Sequence, residues 1–308
     1  MTTSYEGGGE HVSPPPPPHL HHRPSRRESV ELHAARIPFT LKLAAVWAVI
    51  LALLVGLFAA AGFDTGWMRE HAAFIAKGIT WTIIIAALSI LLACTLALLG
   101  ALGRLSRNAI AVGVSGFYTS FFRGTPLIVQ LFLIYLALPQ IGIALGDPWA
   151  DLLTFDVITA GVLALGLNYG AYMTEIFRAG IQSVGHGQSE AADVLGMTYR
   201  TKMSRVILPQ ALRVIIPPTG NEFIAMMKDT ALVSFLGTSV AQMEIFRRAQ
   251  LAGRADFRNL EALIIAALIY WGLTTIFQYF QLRLERRLSK GYVRGTSGVA
   301  GATARHEQ

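Results

Sequence analysis

Six polar residues lie within otherwise apolar stretches, where their side chains suit the binding of a charged solute. They are Asn168, Glu175, Asn221, Glu222, Lys228 and Asp229. A charge at the centre of a bilayer costs about 2.5–3.5 kcal/mol on insertion scales, so such a side chain usually faces a polar cavity or another charge. We therefore expect these residues to line a polar path. Structural ion pairs, Lys228 with Asp229 and Glu175 with Arg178, stay open as the alternative.

The sequence lacks the motifs that would make or break bonds. A nucleotide phosphate loop needs Gly-Lys followed by Ser or Thr, and no Gly-Lys dipeptide occurs. Neither His-Glu-x-x-His nor Gly-x-Ser-x-Gly occurs. The single cysteine, Cys94, excludes an internal disulfide and is expected to pack within its apolar run. We predict that this chain is not an enzyme.

A short helix is predicted in the basic loop between residues 178 and 208. Ser189 is suited to cap it, Glu190 is favoured in its first turn, and Gly196 permits the left-handed conformation that ends a helix. One apolar face is formed by Ala191, Val194 and Leu195. About seven residues are too few for a stable isolated helix. We therefore expect this helix to dock into a groove on a partner protein.

Long uncharged runs place these features in a membrane. Of 308 residues, 53% are hydrophobic and only 15% are charged, against about 25% charged in soluble domains. These values predict an all-α polytopic membrane protein with about six transmembrane helices. The expected spans are 43–63, 78–103, 125–138, 157–174, 209–242 and 262–282. Pro217, Pro218 and Gly220 predict that the span 209–242 is broken or partly re-entrant.

Charged loops orient these spans. Basic residues cluster in the amino tail, in 104–123, in 178–205 and after the last span, whereas 140–153 has none. The positive-inside rule then places both termini in the cytoplasm. The net charge of +7 is distributed over these clusters, so we expect no nucleic-acid partner.

The loop 244–260 departs from the charge pattern, because it is basic on the expected outer side. Its arginines are Arg247, Arg248, Arg254 and Arg258. We interpret the loop as a candidate docking surface for an extracytoplasmic partner. A miscounted span is the alternative.

Residues 1–36 are expected to form a disordered cytoplasmic tail. They combine the proline run 14–18 with three histidines and little apolar surface. The histidines lack the order and second shell of a metal site, so no functional metal is expected. The proline run suits a linker better than a partner-docking segment. A second flexible cytoplasmic tail is expected at 291–308.

The predicted loop helix resembles the EAA motif of permease subunits in ATP-binding-cassette (ABC) importers. That motif reads Glu-Ala-Ala, three residues, Gly, nine residues, Ile, any residue, Leu-Pro. The matching positions are Glu190, Ala191, Ala192, Gly196, Leu208 and Pro209. Val206 replaces the isoleucine. In that family the motif forms a coupling helix that rests in a cleft of the ATPase subunit.

Further motifs are similar to those of the polar amino acid permeases, the histidine/glutamine/glutamate family. They lie at 122–127, 172–180, 220–223 and 228–230. The resemblance covers roughly residues 75–290, which is the expected permease domain. Simple family members have five spans with the amino end outside. Residues 43–63 are therefore an extra helix that turns the amino end inward.

The resemblance implies a type I ABC importer transmembrane-domain fold in a bacterial cytoplasmic membrane. It implies uptake of polar or charged amino acids, whose paired charges suit the six polar residues. The implied partners are an ATPase dimer, an extracytoplasmic amino acid-binding protein and a second permease chain, identical or homologous. ATP is used by the partner, and no cofactor is expected in this chain.

Two other classes of protein stay open. A secondary transporter or channel would use the intramembrane charges without a nucleotide partner, and it does not need the Glu190–Pro209 motif. A membrane-anchored scaffold would act through its proline-rich tail, so that deletion of residues 1–36 separates it from a transporter.

Overall fold

A computed structural model describes residues 38–60 and 62–288, and within these ranges every regular element is helical. The α-helices are α1 (Phe39–Ala60), α2 (Thr65–Ala76), α3 (Ile79–Arg104), α4 (Ala109–Gly124), α5 (Leu127–Phe132), α6 (Leu138–Leu145), α7 (Trp149–Leu152), α8 (Val157–Gln182), α9 (His186–Val194), α10 (Tyr199–Lys202), α11 (Leu208–Asp229), α12 (Ile245–Ala255) and α13 (Asn259–Leu288). Two π-helical segments, Leu133–Ala137 and Met203–Ile207, precede α6 and α11. Two 3₁₀ segments, Thr230–Leu236 and Val240–Gln242, follow α11.

Helices of membrane-spanning length and composition confirm the predicted all-α polytopic architecture. Such spans occur at Phe39–Gly56, Thr65–Arg104, Leu127–Leu145, Val157–Gln182 and Asn259–Leu288. The 22-residue helix α11 occupies the predicted weak span, but it is more polar than these five. Its mixed surface is suited to burial in a bundle beside a polar path.

Helix α1 belongs to a compact unit separate from residues 64–308. Large apolar residues such as Leu41, Trp47 and Leu53 are exposed around it. A helix that is apolar on all sides is suited to a lipid environment. The predicted tails at 1–36 and 291–308 lie outside the described residues.

The centre of the larger unit is the contact between α3 and α8. Small residues make this contact close: a Cβ at Gly100 would lie 2.4 Å from Thr174 Oγ1, and one at Gly166 would lie 2.5 Å from Leu92. Close backbone approach through small residues is the usual way in which membrane helices associate. Helices α4, α5 and α11 also pack against α8.

Helix α11 continues without a break through Pro217 and Pro218. The predicted span 209–242 is broken, but the break lies after Asp229 and not at these prolines. Gln281 Nε2 of α13 donates to the Pro217 carbonyl at 2.7 Å, and a Cβ at Gly220 would lie 1.9 Å from Gln281 Oε1. Packing on α13 holds the helix together here, and Gly220 provides the space. The α-helix ends only after Asp229, where the chain becomes 3₁₀.

Candidate functional site

Helix α9 contains the short helix predicted from the sequence, but it begins one turn earlier. Gly185 is its N-cap residue and supplies no side-chain cap. The Gln188 amide donates to the Gly185 carbonyl at 3.0 Å, so Ser189 lies inside the helix. The prediction that Ser189 caps α9 is therefore wrong, because residues 186–188 already have helical backbone.

The carboxyl end of α9 forms the predicted glycine termination. Gly196 has a φ of 71°. Its amide donates to the Asp193 carbonyl at 2.9 Å, and the Met197 amide donates to the Ala192 carbonyl at 3.1 Å. This pair of bonds is a Schellman motif, which a residue in the left-handed region allows. The prediction for Gly196 is confirmed.

The surface of α9 is divided between one inward contact and an uncovered side. Ala192 is only 2% exposed, whereas Val194 is 88% and Leu195 is 74% exposed. Glu190 and Ala191 are exposed beside them. Large apolar side chains this exposed on a polar nine-residue helix form a surface suited to a protein partner.

A clamp joins α9 to the helices that follow. Lys202 Nζ lies 2.8 Å and 2.9 Å from the two carboxylate oxygens of Asp193. Thr198 caps α10 by accepting from the Thr201 amide. The chain then enters α11 through the π-helical segment, with Leu208 half-buried and Pro209 in the first turn. The Asp193–Lys202 pair and the continuous chain from α10 into α11 therefore connect α9 to α11.

Inside the bundle, a break separates α4 from α5 at Thr125, whose backbone is extended. Asn168 Nδ2 of α8 donates to the Phe122 carbonyl at 3.0 Å and to Gln130 Oε1 at 3.1 Å. Gln130 Nε2 donates to the Thr125 carbonyl at 3.1 Å. Two buried amides therefore satisfy carbonyls that the broken helix leaves free, as irregular backbone at membrane depth requires. Asn168 holds this break.

A polar strip lies between α8, α11 and this break. The Tyr169 hydroxyl donates to Asp229 Oδ2 at 2.8 Å, and Glu222 lies seven residues before Asp229 on α11, two helical turns away on the same side. The Arg123 guanidinium lies 5.3 Å from the centre of the Tyr172 ring, in cation–π contact. The strip presents both signs of charge along one side of α8.

The other predicted path residues are Asn221, Lys228 and Glu175. Asn221 and Lys228 are exposed. The alternative interpretation of Lys228 and Asp229 as an ion pair is wrong, because Asp229 instead accepts from Tyr169. Glu175 accepts from Arg178 Nε at 2.8 Å and lies 3.7 Å from Arg104 Nε. The ion-pair interpretation of Glu175 is therefore confirmed.

Sequence reasoning missed a buried carboxylate at Glu244. It is fully buried, caps α12 through the Phe246 and Arg247 amides, and accepts from the Tyr270 hydroxyl at 2.6 Å. The Ser234 hydroxyl also donates to it. A glutamate immediately before an amphipathic helix was the available signal. Glu244 thus links the 3₁₀ segment Thr230–Leu236 to α12 and α13.

The predicted docking loop at 244–260 needs correction in two of its four arginines. Arg248 is buried and donates to the Met243 carbonyl at 3.1 Å. Arg258 lies 3.2 Å from Glu261 and 3.4 Å from Asp64. Both are structural, and Arg254 stays exposed. Residues 245–255 form a helix, so the part of this segment that remains a loop is the turn that follows residue 255.

The described residues form membrane-spanning helices, a helix break lined by polar residues, and the short helix α9, which is joined to the bundle. Together these features define a membrane transport subunit. The family model described as "Binding-protein-dependent transport system inner membrane component" matches residues 93–290. The chain belongs to that family. It is thus an inner membrane component of a transport system that works with a binding protein and an ATPase.

The chain is also similar to individual proteins that are named as amino acid transporters. The chain is 39% identical to the "Probable amino-acid ABC transporter permease protein PatM" of Vibrio harveyi over 233 residues, covering 76% of this chain and all of PatM. It is 38% identical to the "Arginine transport system permease protein ArtQ" of Bacillus subtilis over 216 residues, covering 70% and 92%. A crystal structure of "an amino acid ABC transporter with histidines" matches with a TM-score of 0.64 at 37% identity, covering 73% and 99%.

Proposed function

We propose that this chain is the permease subunit of an ABC importer that takes up polar or charged amino acids. The observation that carries the proposal is the uncovered apolar surface of α9, joined rigidly to a helix that borders a polar strip. The amino acid transporters named among its relatives support the choice of substrate. ATP is bound and hydrolysed by a separate subunit, and the chain itself carries no cofactor.

Coupling runs through α9. Val194 and Leu195 enter a groove of the ATPase subunit, and closure of the ATPase dimer moves α9 as a rigid body. The Gly196 termination fixes the end of α9, and the Asp193–Lys202 clamp transmits the movement to α11. Because α11 borders the polar strip, this movement changes access to the path.

The polar strip receives the amino acid. An amino acid carries a carboxylate and an ammonium group on one carbon, so its site needs both signs of charge. Arg123 suits the carboxylate, while Glu222 and Asp229 suit the ammonium group. Asn168 and Gln130 hold the break that presents Arg123, so we assign them a positioning role.

The assembly contains two permease chains, identical or homologous, with two ATPase subunits and an external amino acid-binding protein. Both termini of this chain are cytoplasmic, which places α9 on the cytoplasmic side and the α12–α13 turn outside. Charge asymmetry of the loops supports this orientation.

Photocrosslinking tests the coupling surface. We would place a photoreactive amino acid at Val194, whose exposure makes it a better probe than the buried Ala192. The matched control carries the same group at Phe257, which is 91% exposed at the far end of the bundle. In intact cells, the Val194 probe should capture a protein with a phosphate-loop motif, and the Phe257 probe should not. Equal capture of this ATPase from both positions, or from neither, contradicts the proposal.

A further inference from the structure

The turn between α12 and α13 repeats one of the two hydrogen bonds that end α9, from an amide to the carbonyl five residues earlier. The Arg258 amide donates to the Gly253 carbonyl at 2.8 Å. The residue between the two helices that adopts the left-handed conformation is Phe257, with a φ of 56°. In α9 the same position is held by Gly196. Glycine is usual there because a Cβ makes this conformation unfavourable.

Phe257 gains no packing that offsets this strain. The residue is 91% exposed, and it is the non-glycine residue with a positive φ in the described part of the chain. A glycine would relieve the backbone and remove an exposed aromatic ring. An outlier of this kind in an ordered turn points to a function outside the isolated chain.

The base of the turn is fixed on both sides of Phe257. The contacts join Trp67 Nε1 to Asp256 Oδ2 at 2.6 Å, His71 Nε2 to Asp256 Oδ2 at 3.4 Å, Arg258 to Asp64 at 3.4 Å, and Arg258 to Glu261 at 3.2 Å. Helices α2 and α13 thus hold the turn. A ring presented on a fixed base loses little conformational entropy when a partner covers it.

The surroundings of Phe257 are charged. Asp256 and Arg258 flank it, and the exposed Arg254 lies one turn away at the end of α12. Helix α13 has 30 residues and is about 45 Å long, so this turn lies far from the basic carboxyl end of α13. The ring therefore stands exposed among charged residues at this end of the bundle.

We propose that Phe257 and Arg254 form the contact by which the permease docks its extracytoplasmic binding protein. The ring enters an apolar depression on that protein, and the guanidinium meets an acidic rim. Aromatic and arginine side chains on rigid supports are the usual centres of protein interfaces. The proposal rests on the proposed function, because it uses the external partner and the orientation given there. A lipid headgroup region is the competing occupant.

The test uses Phe257→Gly in the complete transporter in nanodiscs. The probe is an amino acid-binding protein chosen because it stimulates ATP hydrolysis by the wild-type complex. We expect the binding-protein concentration for half-maximal stimulation to rise at least tenfold, with basal and maximal ATPase rates unchanged. The thermal midpoint of the complex should stay the same or rise, because glycine relieves the turn. Leu260→Ala, an exposed apolar change three residues away, should leave the half-maximal concentration unchanged.

A rise in the half-maximal binding-protein concentration without a fall in the thermal midpoint distinguishes a docking role of Phe257 from a structural one. An unchanged half-maximal concentration for Phe257→Gly, in complexes whose wild type responds normally, overturns the docking proposal and leaves the proposed function standing. Lack of any amino acid-binding protein that stimulates the wild type overturns both. A fluorophore attached to Phe257→Cys in a Cys94→Ala background, with lipid-borne quenchers, examines the other occupant: strong quenching without binding protein places position 257 in lipid and overturns the proposal.

Discussion

Gly196 and Gly220 need glycine for different physical reasons. At Gly196 the backbone is left-handed and no atom lies within 4 Å of where a Cβ would be, so conformation alone demands glycine. At Gly220 the backbone is helical and the side chain of Gln281 fills the space of a Cβ. Substitution should therefore affect termination of α9 in one case and helix packing in the other.

Gly196→Ala should weaken coupling without preventing assembly. The alanine strains the left-handed residue by about 1–2 kcal/mol, so the end of α9 frays. In proteoliposomes we expect uptake per ATP hydrolysed to fall, while the ATPase still co-purifies. Gly113→Ala is the matched control, because that glycine is helical with open space around it. Full coupling in Gly196→Ala would show that the glycine termination of α9 is not needed for coupling.

Gly220→Ala should lower the thermal stability of the permease in detergent. The added Cβ displaces Gln281 and breaks its bond to the Pro217 carbonyl, so the loss should be about 1–3 kcal/mol, typical of overpacking. Gln281→Ala in the same chain should recover part of that loss by opening space. If the double variant is no more stable than Gly220→Ala, a contact other than that with Gln281 causes the loss of stability.

The roles of residues that act within their own helix could be predicted from the sequence. The roles of residues that depend on contacts with other elements could not. Gly196 was predicted because a glycine after a short helix has a local meaning. Ser189 was misassigned because Gly185 supports an earlier start of α9, which no strong cap marks. The burial of Glu244 depends on Ser234 and Tyr270, which are distant in sequence. No local pattern brings these side chains together.

At the scale of elements, the Asp193–Lys202 ion pair is the contact that fixes α9 to α10. The Lys202 side chain is largely buried, whereas that of Asp193 is more than half exposed. An ion pair with one exposed partner contributes about 1 kcal/mol or less to stability. Its geometry, with both carboxylate oxygens engaged, matters more for holding the angle between the two helices.

Reversal of the two charges tests this clamp. Asp193→Lys alone should reduce uptake several-fold, because two ammonium groups repel and release α9. Combining it with Lys202→Asp should restore most uptake, since the opposite charges face each other again. Basal ATP hydrolysis should stay near the wild-type rate in both variants. If the double variant transports no better than Asp193→Lys, the clamp is not what orients α9.

Apolar runs predicted most elements, because a membrane requires long uncharged helices. The continuity of α11 escaped prediction for a physical reason. Pro217 and Pro218 should disrupt a helix by about 3 kcal/mol each in isolation, yet α11 continues through both and packs here on Gln281 of α13, which is 64 residues away in sequence and leaves no local signal. The boundary between α4 and α5 was predicted, since the expected third span begins at residue 125, but the contact that Asn168 makes with it was not, because Asn168 lies 46 residues from Phe122 in sequence.

At the scale of the molecule, the account requires two working surfaces on opposite sides of the membrane. Helix α9 must face the cytoplasm, and the α12–α13 turn must face outward. In a cysteine-free background (Cys94→Ala), a membrane-impermeant thiol reagent should label Arg254→Cys in intact cells. Val194→Cys should be labelled only after the cells are opened. Labelling of both from outside would contradict the proposed orientation.

ATP-driven uptake by the purified transporter in proteoliposomes is the most direct measurement of the central claim. Vesicles would contain this chain with its ATPase, a labelled polar amino acid and its binding protein outside, and MgATP inside. The account predicts uptake that requires both the binding protein and ATP and that is abolished by removing either. Uptake that proceeds without ATP and follows an imposed ion gradient would contradict it and identify the chain as a secondary transporter.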